Sequence, residues 1–168
     1  QDWEAERRRL GEERVASIAA WPLIVELEIG EVGRTLFCHA IPSADEPIFT
    51  RLTPDEIVAE LIGDVQADLV VVGHTHVQFD RRLANGRRVV NAGSVGMPYE
   101  GTRGAYWALL GEDVELRRTE SATEAAVAAI RATGAPMSEQ LVGYLFEPPD
   151  PDEASAFFEA QRASSSGA

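Results

Sequence analysis

The chain has 168 residues, the length of one ordinary domain, and its 45% hydrophobic and 26% charged residues predict a single folded core. A multidomain array and a largely disordered chain are therefore not expected. The 28 acidic residues outnumber the 15 basic ones and give a formal net charge of -13. Because this charge repels phosphate groups, we expect neither broad nucleic-acid binding nor docking on an anionic membrane.

Cysteine usage and apolar runs indicate the compartment. Cys38 is the single cysteine, so it cannot form an internal disulfide, and no charged and then apolar leader is visible. The longest apolar runs, such as residues 69–73, are far shorter than a membrane-spanning helix, which needs about 20 residues. We therefore expect a cytoplasmic protein without a membrane partner. The first residue is Gln1 rather than methionine, which predicts a processed product or the later part of a longer chain.

The first elements predicted along the chain are a helix and a β-hairpin. Residues 2–20 place apolar side chains among charged ones, which favours one or two amphipathic helical turns that end at Pro22. Residues 23–29 then show a period of two, and after a glycine-flanked turn residues 35–39 form the second strand. This second strand carries His39 at its end.

A capped helix and a buried strand follow. Thr53 and Glu56 form a capping box with proline at the first helical position, which predicts the start of a short helix. The apolar run Leu69–Val72 is typical of a strand that is covered on both faces. Residues 73–76, Gly-His-Thr-His, come directly after it. A buried strand therefore ends in a loop that holds two histidines.

The rest of the chain predicts two more hairpins and a helical end. Strands within residues 77–90 flank Asn85 and Gly86, a strong turn signal, and residues 91–98 form a loop of small residues. A further hairpin is expected within residues 104–118. Beyond it, helices are predicted at residues 122–133, 138–146 and 153–161, and a disordered tail at residues 164–168.

The three histidines, His39, His74 and His76, all fall at a strand end or in the loop that follows one. Two histidines at i and i+2 of an extended segment point to the same side, and a third from another strand end can converge on them. Imidazole suits Zn, Mn, Fe or Ni, so the three residues could bind one metal ion or two adjacent ions. The alternative from spacing alone is a hydrogen-bonded core histidine at position 39 and two turn histidines at a hairpin entrance.

Three strings of residues around these histidines resemble a known family. Residues 36–40 read LFCHA, residues 71–76 read VVGHTH, and residues 91–96 read NAGSVG. In this order they are similar to the later half of a calcineurin-like metallophosphoesterase of the small single-domain bacterial and archaeal branch. The resemblance covers about residues 15–120. It implies an α/β fold, an α/β/β/α sandwich of which this chain holds the C-terminal half, with mostly antiparallel strands and a helical C-terminal extension.

The resemblance also implies a division of the chain and a role for each site residue. Residues 1–120 would be the C-terminal part of the metallophosphoesterase domain, residues 121–163 a helical extension and residues 164–168 the tail. His39 and His74 would bind the second metal ion, and His76 the first. The loop residues implied beside the ions are Gly73, which leaves room for backbone, and Asn91 and Ser94, which shape the loop and for which a purely structural role is the alternative.

The activity that the resemblance implies is metal-dependent hydrolysis of a phosphomonoester or phosphodiester, with a small phosphorylated substrate. Two divalent ions, Mn, Fe, Zn or Ni, would hold a bridging hydroxide for attack on phosphorus. The motifs of the family's first half, Asp-x-His, Gly-Asp and Gly-Asn-His-Asp/Glu, are not found in the chain, so no catalytic residue is assigned in it. Three neutral imidazoles do not offset the charge of two dications, and the chain alone is expected to bind at most one ion, weakly.

Two explanations account for the missing motifs. The favoured one is a longer polypeptide whose N-terminal half supplies them. The other is a true half-fold that exposes its central strand, Leu69–Val72, to an oligomer partner. In either case another segment is expected to complete the sheet. Other functions are a catalytically silent copy that acts as a protein-binding module, which the three retained histidines argue against, and a cupin-like metal-binding protein, which the βα pattern argues against.

Two more residues have competing interpretations. Arg103, which follows the loop of Ser94, is a candidate phosphate contact, and a solvated surface charge is the alternative. Cys38 beside His39 could be proposed as a nucleophile with its base. However, neighbours on a strand point to opposite faces, so a small core residue is expected there.

Overall fold

The computed structural model describes residues 3–165. None of the helices in this part of the chain is long and apolar enough to cross a membrane. The helices are α1 (Trp3–Leu10), α2 (Glu12–Ala19), α3 (Asp55–Ile62), α4 (Thr123–Ala132), α5 (Ser138–Phe146) and α6 (Pro151–Ser165). The strands are β1 (Ile24–Ile29), β2 (Gly33–Cys38), β3 (Leu69–Val72), β4 (Phe79–Arg82), β5 (Arg88–Asn91), β6 (Ala105–Leu110) and β7 (Val114–Thr119).

Five strands form one sheet in the order β1-β2-β3-β5-β4. The predicted hairpins are confirmed, because β1 pairs antiparallel with β2, β4 with β5, and β6 with β7 in a separate two-stranded sheet. The centre of the large sheet is parallel, since β3 runs parallel to both β2 and β5. Parallel neighbours need a crossover connection. Between β2 and β3 this crossover carries α3, and between β3 and β5 it carries β4.

The core lies on both faces of β3, whose four residues are all buried, as predicted. Val70 and Val72 pack with Val58 of α3 in one hydrophobic cluster. Leu69 and Val71 point to the opposite face and pack with residues of the β6–β7 sheet in a second cluster. The resulting layers are helix, five-stranded sheet and two-stranded sheet. This arrangement agrees with the α/β sandwich that was predicted.

The prediction that a half-fold exposes the central strand is wrong. Strands β2 and β5 pair with the two edges of β3, and both faces of β3 are covered. The apolar surface without a cover is instead at β1, where Leu27 is 51% exposed. Within residues 3–165, β1 has β2 as its one strand neighbour and forms an edge of the sheet. Trp21 and Leu23 extend this exposed apolar surface toward α2.

The amphipathic stretch at the beginning of the chain forms two helices rather than one or two turns. Gly11 separates α1 from α2 and has a φ of 79°, a left-handed conformation that glycine adopts without a steric cost. Asp2, with which the predicted helix begins, lies outside the described residues. The prediction of helix before Pro22 is confirmed, and its division at Gly11 follows from the backbone of that glycine.

Helix α3 begins at Asp55, close to the predicted start, but Thr53 does not cap it. Its Oγ1 accepts a hydrogen bond from the amide of Thr50 at 2.8 Å and donates one to Glu159 of α6. The capping box predicted that the Thr53 hydroxyl bonds to the first turn of α3. It donates instead to Glu159, which is 106 positions away in the sequence.

Helices α4 and α5 lie where they were predicted, whereas α6 is longer than the predicted 153–161. The carboxylate of Asp150 accepts hydrogen bonds from the amides of residues 152 and 153, and Pro151 occupies the first position of the helix. These are the features of a capped helix start, and they lie just before the predicted start at residue 153. The helix includes Ser164 and Ser165 of the predicted disordered tail, and residues 166–168 lie outside the described residues.

Candidate metal centre

The candidate site lies at the edge of the sheet where the parallel strands end. His39 follows β2 directly, and His74 comes two residues after the end of β3. Asn91 is the last residue of β5 and pairs with Val72. Because the carboxyl ends of parallel strands meet at one edge, the parallel centre of the sheet brings these residues together.

His39 and His74 face each other across this edge. Nε2 of His39 lies 3.0 Å from Nδ1 of His74, and the two rings are in an edge-to-face arrangement with centroids 4.9 Å apart. The separation fits a hydrogen bond, and it also fits the distance between two nitrogen atoms that bind the same metal ion. Two nitrogen ligands at right angles, each about 2.1 Å from one ion, are about 3.0 Å apart. The pair therefore has the donor chemistry and the spacing to bind one divalent ion.

The loop between β3 and β4 does not have the extended form that was expected. His74 and His76 have φ angles of 58° and 56°, in the left-handed region that residues other than glycine seldom occupy. Thr75 between them is buried, and its amide donates to the carbonyl of Gly73 at 2.7 Å. The two histidines are thus presented by a tight turn, and strand alternation does not explain their direction. Such strained positions cluster at functional sites.

His76 is held by the loop that follows β5. Its Nδ1 lies 2.9 Å from the carbonyl oxygen of Met97, and its ring packs against Tyr99 with centroids 5.3 Å apart. The amide of Tyr99 donates to the carbonyl of His76 at 3.1 Å. A carbonyl at Nδ1 requires the proton there, which leaves the lone pair of Nε2 for another partner. Metal-binding histidines are oriented in this way.

Burial keeps two of the histidines neutral. Loss of solvent around His74 lowers its pKa below the ordinary value, and the neighbouring His39 lowers it further. Loss of solvent also lowers the pKa of His76, although its contact with the Met97 carbonyl opposes the shift. Neutral imidazole is the form that binds a metal ion.

Acidic residues near the histidines lie in a loop that the sequence analysis did not single out. The carboxylate of Asp45 and the backbone of Glu46 both act on His74 and raise its pKa, against the effects of burial. Both side chains are exposed. Across residues 3–165, no three His, Cys, Asp or Glu side chains are grouped so that they could hold a metal ion. The described chain thus presents histidines without a complete ligand set.

Comparison with known proteins rests on structure alone. No family model and no curated protein matches the sequence. A crystal structure of a hypothetical protein from Pyrococcus horikoshii OT3 matches with a TM-score of 0.69 and 20% identity over 85% of this chain and 57% of the other. A crystal structure of a metallophosphoesterase from Sphaerobacter thermophilus matches with a TM-score of 0.63 and 22% identity over 88% of this chain and 69% of the other. The chain has a metallophosphoesterase-type fold.

In this metallophosphoesterase-type fold the predicted loop residues build the turn. Asn91 is 1% exposed, and its amide nitrogen donates to the carbonyl of Gly73 and, at 3.1 Å, to the hydroxyl of Thr75. Its Oδ1 accepts a hydrogen bond from the amide of Gly93 at 2.9 Å. Ser94 accepts one from the amide of Met97 at 3.0 Å. Asn91 thus fixes the turn that presents the histidines, which is the structural role weighed for it.

Two further residues were predicted beside the ions, Gly73 as a small residue that leaves room and Arg103 as a phosphate contact, and their contacts in the structure differ from these predictions. A Cβ added to Gly73 would lie 3.8 Å from the carbonyl oxygen of His39, an ordinary contact, so crowding within the chain does not require glycine. The Gly73 amide donates to that same oxygen at 2.9 Å and joins the two loops. The Arg103 guanidinium lies over the Phe146 ring and donates to the Phe146 carbonyl at 2.8 Å. This places Arg103 at the end of α5.

Cys38 has the properties of a core residue. Burial, and then the charge of Asp45, raise the pKa of its thiol to about 11. The thiol is therefore protonated at neutral pH, and it packs against the cluster on the α3 side of the sheet. These properties agree with the core interpretation and do not support a nucleophile.

Proposed function

We propose that the protein is a metal-dependent phosphoesterase that hydrolyses a phosphomonoester or phosphodiester. The observation that carries the proposal is the pair of imidazole nitrogens, of His39 and His74, that are 3.0 Å apart at the carboxyl edge of the parallel strands. The metallophosphoesterase-type fold supports it, because ligands of α/β folds bind at this edge.

Each histidine has a separate task in the proposed centre. His39 and His74 bind one divalent ion, and His76, oriented by the Met97 carbonyl, binds the other through Nε2. When bound, two divalent ions such as Mn, Fe, Zn or Ni lower the pKa of water and stabilise charge on phosphoryl oxygens. Asn91 keeps the turn in the conformation that presents the imidazoles. Burial keeps His74 and His76 neutral and ready to coordinate.

The remaining ligands come from another segment in this proposal, either the N-terminal half of the same polypeptide or an oligomer partner. Two dications need carboxylate ligands to offset their charge. Residues 3–165 contain no cluster of His, Cys, Asp and Glu side chains that would supply these ligands. The exposed apolar surface supports a covering segment, because Trp21, Leu23 and Val25 line a groove that also contains His39 and Asp45. The chain spans 57% of the archaeal structure and 69% of the bacterial one.

The net charge of -13 disfavours a long polyanion more than a small one, and the substrate in this proposal is therefore a small phosphorylated molecule. Local positive charge would then come from bound ions. We place the enzyme in the cytoplasm, on the basis of its single cysteine.

The test combines metal content with turnover. We expect the purified protein, with its complete coding sequence, to contain close to two Mn, Fe, Zn or Ni ions by elemental analysis and to hydrolyse an aryl phosphodiester faster with added Mn²⁺. His39→Ala should lower the affinity for Mn²⁺ at least about tenfold and abolish turnover. Gln66→Ala, at an exposed position before β3, is the control and should change neither quantity. Unchanged metal affinity in His39→Ala would remove the proposal.

A second candidate function is a catalytically silent protein-binding module. The exposed apolar surface at β1 favours it, since such surfaces mark interaction sites. The two candidates differ in the same experiment. A protein without bound metal and without turnover, which nevertheless associates through this surface, supports the module.

A further inference from the structure

Four aromatic side chains enclose a pocket beside the candidate metal centre. Tyr99 from the loop after β5, Tyr144 from α5, and Phe157 and Phe158 from α6 line a cavity of about 280 Å³. The Tyr99 ring lies 5.7 Å from Tyr144 in an edge-to-face contact and 6.1 Å from Phe158 in a stacked one, measured between centroids. Three separate parts of the chain thus supply aromatic faces to one space. Sequence reasoning did not find this pocket.

The Tyr99 ring lies between the pocket and His76. The other neighbour of Tyr99 is His76, whose ring centroid is 5.3 Å away, and the backbones of the two residues are hydrogen bonded. Tyr99 thus contacts both the pocket and His76, and a ligand that occupied both places would have to pass the Tyr99 ring. A sugar or a similar short linker would join the two parts of such a ligand.

One wall of the pocket is left uncovered by the fold. Phe157 is 65% exposed although it packs edge-to-face on Phe158, with centroids 5.7 Å apart. Covering an aromatic ring is favourable by the area removed from water. A phenylalanine that remains exposed beside an open cavity is therefore placed to contact a ligand. The volume is close to the lower limit of small-molecule pockets, which fits a single planar ring system.

The rim of the pocket selects the polarity of that ring system. Glu153 lies at the rim, and within residues 3–165 its carboxylate takes part in no hydrogen bond or ion pair. A carboxylate accepts hydrogen bonds and repels anions. The rim therefore disfavours an anionic aromatic acid and favours a neutral ring that carries N–H donors, as amino-substituted nucleobases do.

We propose that this aromatic pocket binds the nucleobase of the substrate, with the base stacked on Phe157 and its neighbours and the phosphoester directed toward His76. The inference rests on the proposed phosphoesterase function and names its substrate class, a small nucleotide. A nucleic-acid polymer is disfavoured by the net charge of -13.

Binding of four probes to the full chain tests the proposal by isothermal titration calorimetry. Adenosine carries the base without an ester, AMP carries both, ribose 5-phosphate lacks the base, and hexyl phosphate replaces it with an alkyl chain. We expect adenosine and AMP to bind, and the other two probes to bind at least about tenfold more weakly than AMP, because stacking of a base is lost. Ribose 5-phosphate or hexyl phosphate binding as tightly as AMP would overturn the proposal.

Two substitutions of the exposed phenylalanine separate stacking from simple apolar contact. Phe157→Ala should weaken adenosine binding about tenfold, and Phe157→Leu, which keeps an apolar side chain without a π face, should weaken it nearly as much. Leu116→Ala, at a partly exposed position of β7 that does not line the pocket, is the control and should leave the affinity unchanged. Circular dichroism checks that each variant is folded. Wild-type affinity in Phe157→Leu would contradict base stacking.

The probes also distinguish failure of the pocket from failure of the proposed function. Adenosine has no ester bond, so its binding does not depend on hydrolysis or on metal ions. Metal-stimulated hydrolysis without adenosine binding overturns the nucleobase pocket and leaves the phosphoesterase. Adenosine binding that depends on Phe157, in a protein without turnover, leaves the pocket and removes the phosphoesterase.

Discussion

Strands β1 and β2 are hydrogen-bonded neighbours with similar apolar content and opposite surroundings. Leu36 of β2 is fully buried, and so is Thr35, whereas Leu27 of β1, the register partner of Thr35, is 51% exposed. β2 has β3 on its other side, α3 on one face and the second sheet on the other. β1 has none of these neighbours in the described chain. Both strands thus carry apolar residues, and later elements decide which one is covered.

The candidate metal centre lies on the boundary between these two regions. His39 is the first residue after β2, and it shares a groove with Val25 of β1 and Trp21. His74 and Asn91 belong to the covered part of the sheet. The covered region holds the histidines in place, and the uncovered region is where a further segment can reach them. Three predictions test this contrast, from the largest expected effect to the smallest.

The first prediction compares the same substitution on the two strands. Leu36→Ala should lower the free energy of unfolding by about 2–5 kcal/mol, because it leaves a cavity in the covered core. Leu27→Ala should lower it by less than about 0.5 kcal/mol, because Leu27 already contacts solvent. Urea denaturation followed by circular dichroism measures both. A large effect of Leu27→Ala would show that β1 is covered in solution, and its dependence on protein concentration would then identify self-association.

The second prediction concerns the covered edge that presents the histidines. Asn91→Ala should cost about 1–3 kcal/mol, because it removes a buried side chain whose partners are Gly73, Thr75 and Gly93 and leaves their polar atoms unsatisfied. Affinity for Mn²⁺ should fall as well, because the turn loses its support. The measurements are urea denaturation and metal titration.

The matched control for Asn91 is the other asparagine of the chain. Asn85 is exposed in the β4–β5 turn and accepts one hydrogen bond, from the amide of Arg87 at 3.1 Å. Asn85→Ala should cost less than about 1 kcal/mol and should leave Mn²⁺ affinity unchanged. Equal losses in the two variants would contradict the structural role of Asn91.

The third prediction concerns a polar contact that holds α6 over the covered region. Burial alone would raise the pKa of Glu159, but hydrogen bonds from Thr53, Thr50 and Arg162 outweigh it and hold the pKa below its ordinary value of 4.5. A carboxyl group with a lowered pKa in the folded state stabilises the fold above its unfolded pKa. That contribution is lost as the pH falls through the folded pKa.

Glu159→Gln should therefore destabilise the protein by about 1 kcal/mol at pH 7. The difference from the unsubstituted protein should shrink as the pH is lowered below 4.5, since the carboxyl group then becomes neutral as well. Urea denaturation at a series of pH values measures this. Glu60→Gln, at an exposed position of α3, makes the same charge change and should have almost no effect. A difference that grows toward acid pH would contradict the assignment.

The positions of most elements follow from local patterns. The hairpin at Asn85 and Gly86, the buried run Leu69–Val72 and the helices α4 and α5 were all predicted close to where they lie. The placement of the three histidines at a strand end or in the loop that follows one was predicted too. Turn residues, periodicity and proline positions act over a few residues, so a sequence shows them directly.

Apart from the approach of His39 to His74, contacts between distant residues were not predicted. The hydroxyl of Thr53, which was expected to cap α3, donates to Glu159 of α6 instead. The apolar strand that stays uncovered is β1, which the sequence analysis did not single out. Asn91 was weighed as a turn residue, but its bonds to Gly73 and Thr75 depend on β3 and β5 lying side by side. Tyr99 and Phe157 meet at one pocket because α6 returns to the carboxyl edge.

The sequence by itself determined where strands, turns and helices occur and which strand ends carry imidazole, because those properties depend on neighbouring residues. The tertiary structure alone decided that β3 lies between two parallel neighbours, that Nε2 of His39 meets Nδ1 of His74, and that β1 stays uncovered. The order of strands in a sheet depends on burying apolar area over the whole chain. No window of sequence contains that information.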